Sequence, residues 1–124
     1  MTNLLQEIVL LEKQATSNGF AWPNVDMILD QVTNECKEVQ QAIAENESPA
    51  RIQEEIGDIL HAAISLCVFM NFDVEETLTN SKNKFEKRFL TVLDIAREQG
   101  YADLKNQPIE KLLTLWDLAK QRQG

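Results

Sequence analysis

Two consecutive segments of the chain carry the same apolar pattern, and a glutamate interrupts each of them. Positions 25, 28, 32, 35, 39 and 42 follow a spacing of 3, 4, 3, 4, 3, which is the period of one helix face. Positions 52, 55, 59, 62, 66 and 69 repeat this spacing. The members are aliphatic residues, alanine or phenylalanine, apart from Glu35 in the first stripe and Glu55 in the second. The pattern predicts two amphipathic helices that each direct one carboxylate towards a core.

The rest of the chain also favours helices. We predict five segments, at roughly residues 2–16, 24–45, from 48–49 onward, from 73 to near 100, and 108–121. In the fourth of these, the residues expected to face inward are Val74, Leu78, Phe85, Phe89 and Val92. With four Gly and three Pro in 124 residues, the chain has little turn chemistry for a many-stranded β fold. The sequence therefore predicts an all-α helical bundle of four to five helices, formed by one domain over residues 1–124.

Charge and apolar content exclude several classes of partner. The net charge is −8, from 20 acidic against 12 basic side chains, so no basic stripe is available for a long nucleic acid. The most apolar run, residues 59–70, contains His61 and Ser65 and is too short to span a bilayer. The first ten residues lack the features of a signal peptide, and Cys36 and Cys67 fall in apolar helical stretches. We expect a cytoplasmic protein with reduced thiols and no membrane partner.

The two glutamates within the apolar stripes need a chemical reason, because a carboxylate in a core costs several kcal/mol unless it is paired or binds a metal. Glu38 lies three residues after Glu35, and Asp58 lies three residues after Glu55, so each pair shares one helix face. Two neighbouring helices would bring these four carboxylates together. Mg²⁺ suits such a set of oxygen donors, with Mn²⁺ as a substitute, and it also binds substrate phosphate oxygens. A solvated acidic face is the alternative interpretation, above all for Glu38 and Asp58.

Basic side chains flank the acidic positions. Arg51 precedes Glu55 by one turn, and Lys84 and Arg88 are spaced i, i+4 on the fourth predicted helix. They could bind phosphate oxygens, or Arg51 could pair with Glu55 while the other two remain surface charges. Gly57 is costly within a helix, and close backbone approach or tight helix packing would account for it.

These motifs together resemble one known family. Glu35-Cys36-Lys37-Glu38, then Glu54-Glu55-Ile56-Gly57-Asp58, then Lys84-Phe85-Glu86-Lys87-Arg88-Phe89 is similar to the MazG-like nucleoside triphosphate pyrophosphohydrolases of the all-α NTP pyrophosphohydrolase superfamily. The resemblance covers most of the chain, including the segments 19–23 and 115–120. It implies Mg²⁺-dependent hydrolysis of (deoxy)nucleoside triphosphates between the α- and β-phosphates, giving a nucleoside monophosphate and pyrophosphate, in nucleotide-pool house-cleaning.

The resemblance also implies roles for individual residues. The metal ligands would be Glu35, Glu38, Glu55 and Asp58. The residues that face the triphosphate would be Arg51, Lys84 and Arg88. Glu38 or Glu54 could orient the attacking water or take its proton, and Lys84 and Arg88 would stabilise the leaving pyrophosphate. Trp22 and Phe20 are candidates for stacking on the base, with core aromatics as the alternative. The chain departs from the family at Asn34, where a second acidic residue often precedes the first ligand.

Three other interpretations stay open. A di-iron carboxylate bundle is disfavoured because it usually supplies two Glu-x-x-His motifs, and this chain has a single histidine, His61. A dUTPase-like enzyme or a phosphoribosyl-ATP pyrophosphatase would share the metal site but use a different substrate. A non-catalytic helical interaction module would make the carboxylates surface charges. The apolar third helix and the family resemblance together predict a homodimer or homotetramer.

Overall fold

The computed structural model describes residues 3–123, and five helices account for most of them. The helices are α1 (Leu4–Ser17), α2 (Val25–Ala44), α3 (Pro49–Phe69), α4 (Val74–Glu98) and α5 (Ile109–Gln123). No strand is present between residues 3 and 123. The prediction of an all-α fold is therefore confirmed.

The helix ends follow from polar caps that the sequence supplies. Asn24 accepts a hydrogen bond from the Met27 backbone N–H at 3.0 Å, and Ser48 accepts one from Arg51 at 3.2 Å. Asp73 caps α4 through the N–H of Glu76 at 2.8 Å. Gly100, with a φ of +91°, adopts the left-handed conformation that ends α4 at little steric cost.

Contacts divide the chain into two compact units, one ending at Thr77 and the other beginning at Leu78. The first unit contains α1, α2, α3 and the start of α4. The second contains the remainder of α4 together with α5. The single-domain organisation expected for residues 1–124 stays a prediction.

In the first unit, α2 and α3 pack along each other as a helical hairpin, and α1 packs against α3. The connection between α2 and α3 spans only residues 45–48. Its interior combines apolar side chains with three polar ones, and the buried residues of α2 and α3 are Ile28, Ala42, Ala62, Glu35, Glu55 and Ser65. Both glutamates of the apolar stripes are therefore buried, as the pattern predicts.

In the second unit, a small core forms where α5 covers the C-terminal half of α4. Its buried residues are Val92, Ile95, Ala96, Leu115 and Ala119. Arg122 donates two hydrogen bonds to the carboxylate of Glu98, at 2.8 and 2.9 Å, which ties the ends of the two helices together.

The prediction of an inward face on α4 is confirmed for Val74 and Val92, which are 5% and 8% exposed, and is wrong for the other three residues. Leu78, Phe85 and Phe89 are 50%, 60% and 45% exposed. The rings of Phe85 and Phe89 stack on each other with centroids 6.1 Å apart, and α5, the other helix of this unit, leaves that face about half exposed. The side chain of Phe85 still contacts Trp116, with ring centroids 5.9 Å apart.

No single helix within residues 3–123 is long and apolar enough to cross a membrane. The pair of α3 and α4, which is bent at the break between the two helices, is long and apolar enough only when both helices are counted together.

Candidate functional site

Three carboxylates meet on the α2–α3 hairpin. Glu35, Glu55 and Asp58 each offer an oxygen that lies within 4.8 Å of the other two. Glu35 and Glu55 are only 7% and 3% exposed, whereas Asp58 is open to solvent. The hairpin produces this arrangement because residues equally distant from the turn of an antiparallel pair face each other. Glu35 lies as far before the connection as Asp58 lies after it.

Each buried carboxylate has one oxygen satisfied by its own helix and one left over. Oε1 of Glu35 accepts a hydrogen bond from the amide of Gln31, one turn earlier on α2. Oε1 of Glu55 forms an ion pair with Arg51 at 2.6 Å. Oε2 of Glu35 and Oε2 of Glu55 are buried, and neither has a hydrogen-bond partner among residues 3–123. A buried unsatisfied polar atom costs roughly 1–3 kcal/mol, and more when it is charged, so this site needs a further partner.

The electrostatics of the cluster also favour a cation. Burial raises the pKa of Glu55 above its ordinary value, although the Arg51 guanidinium opposes the shift. The negative charges of Glu38 and Asp58 add to the increase in that pKa. Glu38 is itself exposed, yet it lies close enough to Glu55 to act in this way. The carboxylates therefore repel one another when no cation is present.

The donor set fits a hard divalent cation. Every candidate ligand atom is a carboxylate oxygen, and Glu35 and Glu55 each have a buried oxygen without a partner among the described residues. Mg²⁺ and Mn²⁺ prefer such donors, whereas Zn²⁺ sites usually include Cys or His. Glu35, Glu55 and Asp58 would hold the ion, whereas Glu38 lies near Glu55 but outside this group of three, and its role as a ligand stays a prediction.

A pocket of about 560 Å³ adjoins this cluster in the first unit, within the range of small-molecule sites. Glu35 and Asp58 form part of its wall, together with Gln31. Other parts of the wall are apolar and aromatic, including Phe20 and Trp22 from the segment before α2. The pocket thus combines acidic oxygens with flat apolar side chains, and the stacking of Trp22 on a base stays a prediction.

The predicted basic residues have more varied environments. Arg51 pairs with Glu55 and also with Glu54, at 3.3 Å, and the side chain of Glu54 is 65% exposed. The pKa of the Arg51 guanidinium is raised above its ordinary value, chiefly by the charge of Glu55. Lys84 and Arg88 belong to the second unit, where the Arg88 guanidinium lies 5.7 Å from the ring centroid of Trp116. Their contact with phosphate stays a prediction.

Two side chains of the site were not predicted from the sequence. Gln31 orients Glu35, and Glu12 of α1 reaches the pocket wall and accepts hydrogen bonds from His61 and Ser65. The contact of Gln31 with Glu35 could have been predicted from their i, i+4 spacing on one helix. No such signal existed for Glu12, because its partners are about fifty positions later in the sequence.

Gly57 departs from the expectation of tight packing. A Cβ atom built at this position would meet no atom within 4 Å outside its neighbours and its own helix backbone. Close approach of another helix in this chain is therefore not the reason for the glycine.

Comparisons with known proteins show which family this chain belongs to. The model of the MazG nucleotide pyrophosphohydrolase domain matches residues 24–93, which include all four predicted metal ligands. A Thermotoga maritima protein named nucleoside triphosphate pyrophosphohydrolase/pyrophosphatase MazG is 31% identical over 110 residues, covering 89% of this chain and 41% of that protein. An Escherichia coli nucleoside triphosphate pyrophosphohydrolase is 27% identical over 117 residues, covering 91% of this chain and 43% of the relative.

The uncharacterized protein YabN of Bacillus subtilis is 34% identical over 70 residues, which cover 56% of this chain and 14% of YabN. The chain spans less than half the length of each of these curated relatives. The domain match nevertheless covers more than half of the chain and contains the complete carboxylate cluster. The chain belongs to the MazG nucleotide pyrophosphohydrolase family.

Proposed function

We propose that this protein hydrolyses (deoxy)nucleoside triphosphates between the α- and β-phosphates, with Mg²⁺ held by its carboxylate cluster. The observation that carries this proposal is the pair of buried, unpartnered oxygens on Glu35 and Glu55, beside a pocket with aromatic walls. The names of the Thermotoga maritima and Escherichia coli relatives support the same reaction class. The products would be a nucleoside monophosphate and pyrophosphate, and the role would be house-cleaning of the nucleotide pool.

The pocket suggests how a substrate binds. Trp22 and Phe20 offer aromatic faces for stacking on a base, and a cation held by Glu35 and Asp58 would attract the phosphates to the acidic end of the pocket. When bound, Mg²⁺ would offset the repulsion between carboxylates and phosphates and lower the pKa of an attacking water. Gln31 holds Glu35 in place for this task.

Exposed groups around the cluster would handle the proton and the leaving group. Glu38 and Glu54 are both solvent-accessible carboxylates near Glu55 or Arg51, suited to orient a water molecule or accept its proton. Arg51 brings a positive charge beside the cluster. We assign Lys84 and Arg88 to stabilisation of the charge that develops on pyrophosphate.

We also propose that the protein works as a homodimer or homotetramer in the cytoplasm. Ile56 and Leu60 lie one turn apart on α3 and are 45% and 63% exposed, an apolar stripe that a second copy would cover. Both cysteines are free thiols, in keeping with a reducing compartment. Light scattering on the wild-type protein and on Leu60→Lys tests the assembly, because the charged residue should shift the mass towards that of a monomer.

Product analysis by ³¹P NMR tests the proposed reaction. Incubation of a nucleoside triphosphate with enzyme and Mg²⁺ should give signals of a nucleoside monophosphate and pyrophosphate, and EDTA should suppress them. Formation of nucleoside diphosphate and inorganic phosphate would place the cleaved bond elsewhere. Absence of any product, with folded protein and metal present, would favour the non-catalytic interaction module.

A further inference from the structure

A second group of polar side chains lies on the wall of the pocket, apart from the carboxylate cluster. Glu12 of α1 accepts two hydrogen bonds on the same oxygen, Oε1, one from His61 Nε2 at 2.7 Å and one from Ser65 Oγ at 2.6 Å. Since a carboxylate can only accept, Nε2 of His61 carries the hydrogen. Ser65 is buried, and the Glu12 side chain is 18% exposed. All three residues line the same pocket as Trp22 and Asp58.

These contacts hold the Glu12 carboxylate in a fixed position and leave part of its capacity unused. Neither hydrogen bond involves the second oxygen, Oε2, which can accept further bonds from a ligand. Because two donors fix the carboxylate through Oε1, its Oε2 is preorganised to accept a hydrogen bond from a donor group of a ligand. The hydroxyl of Ser65 and the Nε2–H of His61 are already committed to Glu12, so they act as positioning residues.

The charge of Glu12 determines which part of a nucleotide it can face. A carboxylate repels phosphate oxygens, and no Lys or Arg lines this pocket within the described residues to offset that repulsion. The same charge attracts the N–H groups of a nucleobase, and hydrogen bonds to charged groups are among the stronger ones. Glu12 therefore suits the base end of the substrate, where Trp22 and Phe20 supply the stacking surface.

We propose that Glu12 is the residue that reads the nucleobase edge, and that it selects bases carrying an exocyclic amino group. Cytosine and adenine present an amino group where uracil and hypoxanthine present a carbonyl oxygen, and that oxygen would face a carboxylate unfavourably. This inference rests on the proposed function, because it requires the nucleoside to occupy the pocket beside the carboxylate cluster.

Two matched pairs of substrates test the proposal, namely CTP against UTP and ATP against ITP. In each pair an amino group is replaced by a carbonyl, with the accompanying change in ring protonation. The wild-type enzyme should favour the amino member by about 10- to 100-fold in kcat/KM, the range expected for one hydrogen bond to a charged group. Glu12→Gln should bring both ratios close to 1, because an amide can pair with either group. Ser65→Ala should lower the ratios as well, since it releases one contact that positions Glu12.

Glu7→Gln is the control, since Glu7 is an exposed residue on the same helix and outside the pocket. It should keep the wild-type ratios. If the wild-type enzyme hydrolyses all four substrates alike, or if Glu12→Gln lowers every rate by the same factor, Glu12 only joins α1 to α3 and the inference is wrong.

Binding of the monophosphates separates this inference from the proposed reaction. Calorimetric titration of the protein with each of CMP, UMP, AMP and IMP measures base preference without any turnover. A preference for CMP and AMP that Glu12→Gln removes would support the inference even if no triphosphate were hydrolysed. Equal affinities within each pair, or no binding of any of the four, would overturn it.

Discussion

Glu35 on α2 and Glu55 on α3 approach each other across the helical hairpin, each with one buried carboxylate oxygen that has no hydrogen-bond partner in the described chain. Both residues occupy positions in apolar stripes where an aliphatic side chain would pack at lower cost. The fold therefore loses stability at this site when it holds no cation.

The first prediction concerns the pH dependence of stability in EDTA. Folding raises the pKa of Glu55, so the folded chain binds more protons than the unfolded chain above the ordinary glutamate value of 4.5. Protonated Glu55 therefore contributes to the stability of the fold. This contribution is complete below the pKa that Glu55 has in the unfolded chain, and it is lost as the pH rises through the pKa of Glu55 in the folded chain. Glu55→Gln stays neutral, so its free energy of unfolding should increase relative to wild type as the pH rises. Urea denaturation at several pH values measures the difference, and a difference that does not change with pH would contradict the account.

The second prediction concerns Gln31, which donates its side-chain amide to Glu35. Removal of an outer partner of a metal ligand typically weakens metal affinity or activity by about 10- to 100-fold. Gln31→Ala should therefore weaken Mg²⁺ binding by about that factor, as measured by the Mg²⁺ concentration that gives half of the thermal stabilisation.

Gln41 provides a matched control for Gln31. It lies on the same helix and donates in the same i, i+4 manner to Glu45, at 3.2 Å, but Glu45 does not belong to the carboxylate cluster. Gln41→Ala should leave the Mg²⁺ response unchanged. Equal effects of the two substitutions would mean that Gln31 acts only on helix stability.

The third prediction concerns Gly57. Its Cβ position is open and it lies inside α3, where glycine is less favourable than alanine by about 1 kcal/mol. Gly57→Ala should thus raise the free energy of unfolding by up to about 1 kcal/mol, as measured by chemical denaturation. A loss of stability would show that a second copy of the chain covers this position in the native assembly.

The fourth prediction separates the two basic residues of α4. Lys84→Ala should lower kcat/KM by about 10- to 100-fold, because it removes a charged hydrogen bond to phosphate. Its Tm should change little, because Lys84 is exposed. Arg88 lies over the ring of Trp116, so Arg88→Ala should lower both activity and Tm. A Lys84→Ala enzyme with wild-type kinetics would remove Lys84 from the site.

Much of this fold could be predicted because it follows from local rules. The helix bounds agree with the expected ones to within about two residues, since Asn24, Ser48 and Asp73 act as caps that depend only on nearby backbone. The proximity of Glu38 to Glu55 could also be predicted from the sequence. Both residues lie equally far from the short connection between α2 and α3, so the hairpin brings them together.

Other features depend on contacts between distant parts of the chain, and periodicity does not contain them. Glu12 meets His61 and Ser65 only because α1 packs on α3, and nothing in the sequence around Glu12 sets that packing. The exposure of Phe85 is similar, since an apolar period indicates a face that can be covered but not how much of it another helix covers. The same limit applies to the second unit as a whole, whose basic residues could be assigned to phosphate only by resemblance.

The most direct test of the central claim is pyrophosphate release from a panel of nucleoside triphosphates by the wild-type enzyme, Glu55→Gln and Asp30→Asn. Asp30 is an exposed acidic residue of α2 outside the cluster, so its substitution removes the same charge without touching the site. We predict Mg²⁺-dependent release by the wild-type enzyme and Asp30→Asn, its loss in EDTA, and its loss in Glu55→Gln. Release that continues at the wild-type rate in Glu55→Gln, or that is indifferent to EDTA, would contradict the assignment of the carboxylate cluster as the metal site of a pyrophosphohydrolase.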